Sequence, residues 1–570
     1  MTSECLPGFA FIKKEFIKED CLHTEQVAAL SISVKKKRKH EKLAAKFLGP
    51  SKLCPYVIVP FPDPTENWRG DALNTTTHGI CPYIADGCRY SHDLEKALAE
   101  KLPDLPGPCP VLVATGHCAV GKLCRWASGH ILPEIPSPVI QPASAYLNCL
   151  SQENRTKLQK KQYCFKRADL ITQAVFSRSS TNCAIQEKVI SNDMNDRAPL
   201  GHVTDEDKIR CRANEKKQIE FANKLYLAPL TTVGNLPFRR VCKRLGAEIT
   251  CGEMAIATQL LQGKQSEWAL LRRHSSEDMF GVQLCGAHVD TMTRAAQLIE
   301  ENCEVDFVDI NCGCPIDIIW KKGAGAGLLQ HGNRLESIVR GVNGVLEHAQ
   351  VTVKLRTGIR EKKNTAHQLI PSLQSAGAAL ITVHGRSREQ RYTRLADWDY
   401  IRDCAKTACP GLVFGNGDVL SYEDYIRHKE ASGVTGIMIA RGALIKPWIF
   451  TEIRESRHWD ISASERLDIL REFTNYGLEL WGADSRGVET TRRFLLEWLS
   501  FLYRYIPYGI LERVPQQINE RPPAYFCRTD LETLMASENC ADWIRISEMF
   551  LGPVSDDFSF TPKHNANAYR

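Results

Sequence analysis

The sharpest chemistry in the sequence is the run Asn311-Cys312-Gly313-Cys314-Pro315. It closes an apolar stretch, FVDINC (307–312), so Cys312 belongs to a buried strand while Cys314 falls beyond Gly313, in the loop that follows. A thiol there can reach a bound molecule as proton donor or nucleophile, and a nearby cation such as Lys354 can tune its pKa. The competing readings are a redox-silent thiol and a Cys-x-Cys metal pair. The pair would need further ligands at fixed spacing, and none is evident. Downstream, Lys321-Lys322-Gly323-Ala324-Gly325-Ala326-Gly327 is basic and flexible, which suits either close approach of a polyanion or a tight loop before a helix.

A second chemistry sits nearer the N-terminus, in two clusters of Cys-Cys-Cys-His order. Cys109, Cys118, Cys124 and His130 are spaced as a tetrahedral zinc shell of three thiolates and one imidazole requires. The other cluster ends in Cys81, Cys88 and His92. Its remaining ligand is Cys54, across a long insertion, with His78 as the nearer alternative. Small units of this kind have little apolar core, so bound metal supplies most of their folding energy. Both clusters resemble CCCH zinc fingers, a family that commonly binds single-stranded RNA. Tyr90 and Trp126, each beside an arginine, suit base stacking or the packing of their own small domain.

Chemistry needs a scaffold, and residues 225–441 supply its pattern. Eight short apolar runs recur between helix-length spacers: 225–230, 247–250, 279–284, 307–312, 351–356, 380–385, 412–417 and 436–441. That alternation predicts parallel βα units and, at eight, a closed (β/α)8 TIM barrel of the α/β class. Several runs end in polar residues: Gln283, Asn311, Lys354, His384, Asn416 and Arg441. In this architecture, groups at the C-terminal strand ends face the active site. After strands seven and eight come Gly415-Asn416-Gly417-Asp418 and Ala440-Arg441-Gly442-Ala443, where such barrels bind a cofactor phosphate.

The whole chain fits around this barrel. Its 570 residues exceed one compact domain, while 43% hydrophobic and 25% charged residues are ordinary globular values. No membrane-spanning run or secretory leader is legible, so the 22 cysteines point to metal, catalysis or buried thiols rather than disulfides. The net charge of +6 averages over a basic run at 35–40, which reads as an import signal, an RNA contact or a solvated tail. The expected division is a basic, disordered segment 1–50, two CCCH fingers at 51–131, a linker at 132–220, the barrel at 221–454 and a helical domain at 455–570.

LAPLTTVGNLPFRR (227–240), EMA (253–255), FGVQL, DINCGCP, VKLRTG, HGRSREQRYT, GNGD and ARGALIKPWIF together resemble the tRNA-dihydrouridine synthases. Paired CCCH fingers point to the eukaryotic class acting on the tRNA variable loop, at position 47. The resemblance implies an FMN-dependent oxidoreductase driven by NADPH, with two structural zinc ions. It places Pro229, Leu230 and Thr231 beside the flavin, with Gln283 and Lys354 on its polar edge and His384 at its side. Asn416, Gly417, Asp418, Ala440 and Arg441 would hold the ribityl phosphate. Asn311 would orient the uracil, whose C6 takes a hydride from the flavin, and Cys314 would protonate C5. Arg386, Arg388 and Arg391 at the barrel rim, with Arg492, Arg493 and Arg504 in the tail, are expected either as phosphate contacts of the RNA or, for about half of them, in intramolecular salt bridges. The expected partner is tRNA, with mRNA a further substrate, for a monomer working in cytoplasm or nucleus and away from membranes. A reading with no turnover, an RNA-binding protein carrying an idle barrel, is opposed by the intact Cys314, Lys354 and His384. A small-molecule flavin dehydrogenase leaves the fingers unexplained.

Overall fold

The computed structural model describes residues 10–18, 58, 91–131, 146–180, 219–555 and 558–563. They divide into two compact units: Tyr146–Ala443 with Pro447–Arg457, and Met1–Ala145 with Leu444–Lys446 and His458–Arg570. Cys54, His78, Cys81, Cys88, Tyr90 and the basic run at 35–40 lie outside the described residues.

In the first unit the eight apolar runs become eight parallel strands: β1 Tyr226–Leu227, β2 Ile249–Cys251, β3 Met279–Cys285, β4 Phe307–Cys312, β5 Gln350–Arg356, β6 Ala378–His384, β7 Leu412–Asn416 and β8 Gly436–Ile439. Each pairs with the next, and β8 pairs back to β1, so the sheet closes into the expected barrel. Closure aligns residues from different strands. Gln283 lies opposite Asp309 and Asp309 opposite Thr352, while Asn311 faces Lys354 across β4 and β5. Arg356 and Asn416 both lie opposite His384. Side chains alternate along a strand, so this register stacks polar layers inside the C-terminal half of the barrel.

The opposite end is dry. Phe221, Tyr226, Phe307 and Phe414 meet edge to face at centroid distances of 5.7 to 6.2 Å. Gly281 and Gly436 leave the room these rings need: a Cβ at either would collide with Phe307 or Phe414.

Residues 146–180, expected as linker, belong to this unit. Tyr146–Leu147 pairs with Arg273–His274, and the helices Gln152–Gln159 and Lys166–Ser180 follow. The second helix packs against Val289–Asn302 and Gly332–Val345. Polar contacts anchor it: Asp169 pairs with Arg294 at 2.8 Å, Arg167 with Glu347 at 2.6 Å, and the Ala168 amide donates to Gln297. Such contacts leave no sustained apolar periodicity, only a short amphipathic stretch around 158–170, which is why a linker is the expectation.

The second unit is helical, as expected of the tail. Ala463–Trp481, opened by a Ser462/Glu465 capping box, pairs with Ser485–Leu502, and Phe473 lies against Trp498. The segment 10–18 is part of this unit, against the expectation of disorder throughout 1–50. Ile12 and Ile17 bridge to Leu511 and Tyr525, and Ala10 and Ile12 bury against Ile506, Ile510 and Leu511. Among the described residues no helix is long and apolar enough to cross a membrane.

The aromatic floor generates a stability prediction. Phe307 is fully buried, so Phe307→Ala should cost about 3–5 kcal/mol, read by denaturant unfolding. A loss below about 1 kcal/mol would show that the floor does not support the barrel.

Candidate active site at the barrel mouth and candidate metal centre

The polar layers meet as a hydrogen-bond chain. The buried Asp309 carboxylate accepts from Gln283 Nε2 and from Thr352 Oγ1, both at 2.7 Å. Gln283 Oε1 in turn accepts from Asn311 Nδ2 at 2.7 Å. Asn311 Oδ1 then accepts from the amides of Gly313 and Cys314, at 3.1 and 2.9 Å. Asn311 therefore shapes the loop that carries Cys314. Burial pushes the Cys314 thiol above its ordinary value, opposed by a backbone hydrogen bond from Ile316 and by the Arg356 cation. The group is thus held protonated at neutral pH, as a proton donor must be.

The other strand ends are cationic. Lys354 donates to Asn416 Oδ1 at 3.0 Å, and Asn416 Nδ2 donates to the Met438 carbonyl at 2.7 Å. Burial, reinforced by Arg356, lowers the Lys354 pKa to about 8. His384 is pushed well below its ordinary value by burial, then by Arg356, Lys354, Arg386 and Arg441, so it is neutral. Asp418, in the left-handed region at φ 50°, accepts from Arg386 at 2.6 and 2.7 Å and from Arg441 at 2.8 Å. Tyr392 spans both guanidiniums, 4.2 Å from Arg441 and 5.4 Å from Arg386. Four cations thus crowd the ends of β5 to β8 against Asp418 and an Asp309 that burial pushes toward neutrality. That imbalance fits a phosphate dianion.

Other expected residues are placed differently. Pro229 and Leu230 are half-buried and Thr231 exposed, in a turn that Gly234 closes by donating to the Leu230 carbonyl at 2.8 Å. Gly417 takes φ +146° beside Ala396, and Ala440 is half-buried before Arg441. Arg386 is fully buried on Asp418 and the Arg394 carbonyl, so it faces inward rather than toward the rim. Arg388 lies over Trp320 at 4.2 Å and reaches Asp317 at 2.6 Å, while Arg391 is exposed. In the tail, Arg492 is buried, donating to the Leu551 and Gly552 carbonyls at 3.0 and 2.8 Å, and Arg504 donates to the Ile518 carbonyl. Arg493 is exposed.

Sequence reasoning missed Asp309, Thr352 and Arg356. Each stands two residues from a residue singled out on the same strand, so the period of two that exposes Asn311 and Lys354 exposes them as well.

In the helical unit, the Cys109, Cys118, Cys124 and His130 ligand atoms lie within 4.8 Å of one another, the one such cluster among the described residues. The Cys109 and Cys124 sulfurs are 3.7 Å apart, against a tetrahedral edge of about 3.8 Å for bonds of about 2.3 Å. Cys109 is pulled down by hydrogen bonds from Cys118 and Cys124, which are pushed up in return. The Leu112 and Trp126 amides donate to sulfurs, as in a metal knuckle. The donor set fits a metal. Trp126 is buried in the core of this module with Leu478, Ala483, Val488 and Leu551, so it packs rather than stacks on RNA. Of the other cluster only His92 is described, and its buried Nε2 has no hydrogen-bond partner among the described residues.

A closed (β/α)8 barrel with a phosphate-ready mouth defines a class, the barrel enzymes that hold a phosphate-bearing cofactor above their strand ends. A family model described as "Dihydrouridine synthase (Dus)" matches residues 226–487. The chain is 54% identical over 503 residues to the Xenopus laevis protein called tRNA-dihydrouridine(47) synthase NAD(P)(+)-like, covering 86% of this chain and 78% of that one. The human protein of that name is 53% identical over 519 residues, covering 86% and 79%, and the Arabidopsis thaliana protein 43% identical over 594 residues, covering 87% and 86%. The chain belongs to the dihydrouridine synthase family.

A Lys354 pKa lowered to about 8 makes the binding of any anion that needs this ammonium pH-sensitive, and the expected FMN is such an anion. A ligand that needs the ammonium must bring a proton with it above pH 8, so FMN affinity for the flavin-free protein should fall as pH rises from 7 to 9. Isothermal titration should show this slope for the wild type and its absence in Lys354→Met. A flat wild-type profile would place Lys354 away from the flavin.

Proposed function

We propose that the protein reduces a uridine of tRNA to 5,6-dihydrouridine, at position 47 as the names of its relatives indicate, with FMN as cofactor and NADPH as electron donor. The observation that carries this reading is a partly exposed thiol loop and a ring of cations meeting at one barrel mouth, in a chain of this family.

FMN, when bound, supplies hydride for uracil C6 and is recharged by the nicotinamide cofactor. The protein's own groups do the rest. The proton for C5 comes from Cys314, which is left as a thiolate and is reprotonated from solvent. Lys354 and Gln283 would bond the polar edge of a flavin bordered by Pro229, Leu230 and Thr231. Asn416, Gly417, Asp418, Ala440 and Arg441 would hold its phosphate, with Arg386 fixing Asp418 from behind and His384 at the flavin's side. Neutral His384 can donate a hydrogen bond without adding charge. Asn311 retains a second amide hydrogen for a uracil carbonyl while its oxygen holds the Cys314 loop. Arg388 and the exposed Arg391 border the path of the RNA backbone.

Zinc is the metal that three thiolates and an imidazole favour at Cys109, Cys118, Cys124 and His130. Cys54, Cys81, Cys88 and His92 form the proposed second site. We extend the reading to mRNA as a further substrate, to a monomeric enzyme, and to cytoplasm or nucleus as its location.

Two experiments test these assignments. Cys314→Ala should keep its flavin and its bleaching by NADPH, but lose about 10²–10⁴-fold in reoxidation by tRNA. Unchanged reoxidation would remove Cys314 from the chemistry. Chelation, or Cys118→Ser, should release zinc, shift Trp126 fluorescence to the red and lower the melting temperature by more than about 5 °C. A metal-free protein with wild-type stability would refute a structural ion.

A further inference from the structure

Arg356, two residues beyond Lys354 on β5, is almost wholly buried, at 5% exposure. Its Nε donates to the Gly313 carbonyl at 2.6 Å and its Nη1 to the Ser387 carbonyl at 2.8 Å. The first contact matters most, because the Gly313 carbonyl and the Cys314 amide are the two ends of one peptide group. Asn311 Oδ1 holds the amide end at 2.9 Å. The plane of that peptide is therefore gripped on opposite edges, by a guanidinium and by a side-chain carbonyl. On the far side of the residue, the Cys314 carbonyl accepts from the Ala326 amide at 3.1 Å. Gly325, at φ +58°, approaches so closely that a Cβ there would stand 2.9 Å from the Cys314 carbonyl oxygen and 3.0 Å from its Cβ.

We propose that Arg356 is a positioning residue for the proton donor: it locks the Gly313–Cys314 peptide and ties the Cys314 loop to the loop that leaves β6. A guanidinium suits this because its rigid fork serves two carbonyls at once, whereas an ammonium is a single point charge on a flexible stem. Through Ser387 the same fork touches the segment that carries Arg386 and hence Asp418 and Arg441. The acid and the cationic half of the mouth are thereby held in one register. A proton donor displaced by about 1 Å loses much of its rate, since transfer requires hydrogen-bond reach of the accepting atom.

This rests on the assignment of Cys314 as acid, so the test separates the two half-reactions in the flavin-loaded enzyme and includes Cys314→Ala beside Arg356→Gln and Arg356→Lys. With FMN added to saturation, so that loss of one mouth cation does not limit loading, Arg356→Gln should keep NADPH-driven bleaching within about twofold. Its single-turnover reoxidation by tRNA should slow about 10- to 100-fold, the worth of charge-assisted hydrogen bonds. The loss should appear in kcat with KM for tRNA unchanged, because the buried guanidinium does not face the RNA. Arg356→Lys, which reaches one carbonyl, should recover part of the rate. In the flavin-free protein, Arg356→Gln should also speed hydrogen exchange at the Gly313 and Cys314 amides. Normal reoxidation by Arg356→Gln while Cys314→Ala fails would overturn this proposal alone. Equal loss of flavin and of both half-reactions would make Arg356 a general structural residue and overturn it too. Normal reoxidation by Cys314→Ala would instead overturn the underlying assignment.

Discussion

Positive charge held out of water is the constraint around which the barrel mouth is organised. Burial first, and then Arg356, Lys354, Arg386 and Arg441, keep His384 neutral beside them. Such a group persists only where carboxylates and carbonyls hold each member. Asp418 takes two of the arginines, backbone carbonyls take Arg356, and Asn416 takes Lys354. None of these partners cancels the excess, and the surplus is what makes the mouth receptive to an anion. The aromatic floor is the complement of this arrangement: by filling the lower barrel with rings it confines the polar groups to one end.

The metal cluster has a parallel role in the other unit. Its helix Pro110–Thr115 packs with Ala463–Trp481, and its sulfurs lie in one core with Leu478, Val488 and Leu551. The Arg125 amide donates to the Ala483 carbonyl at 2.8 Å. The aromatic and basic side chains that would read single-stranded RNA from this module are thus committed to packing. A bound ion would therefore tie this loop into the core of the helical unit. Any RNA contact by this module falls to its outer face, where Lys96 and Lys122 are exposed.

The barrel was legible because its strands are buried on both faces and read as apolar runs, interrupted only where they reach the mouth. Asn311 and Cys314 stood out through that interruption. Arg386 and Arg492 did not reveal their burial, since an arginine reads as surface until its partner is known, and those partners lie 32 and about 60 residues away. The helix Lys166–Ser180 escaped for a related reason, being tied to the barrel by Asp169–Arg294 and Gln297. The segment 10–18 hid a short period of two, Ala10 and Ile12, within a lysine-rich composition. Long-range polar pairing is the common factor for the arginines and the helix Lys166–Ser180, and sequence periodicity carries no trace of it.

The same distinction separates Cys314 from the other thiols of the barrel. Cys251, Cys285 and Cys312 are buried, and burial pushes each of them up. They are inert as acids at a surface they cannot reach. Cys314 combines partial exposure with a neighbouring cation, and both follow from Gly313, which lifts the chain off β4 and offers its carbonyl to Arg356. What sets Cys314 apart from the other thiols of the barrel is therefore a property of the peptide group before it. In the proposed reaction this thiol supplies the proton, and Arg356 on the neighbouring strand sets where that proton is presented.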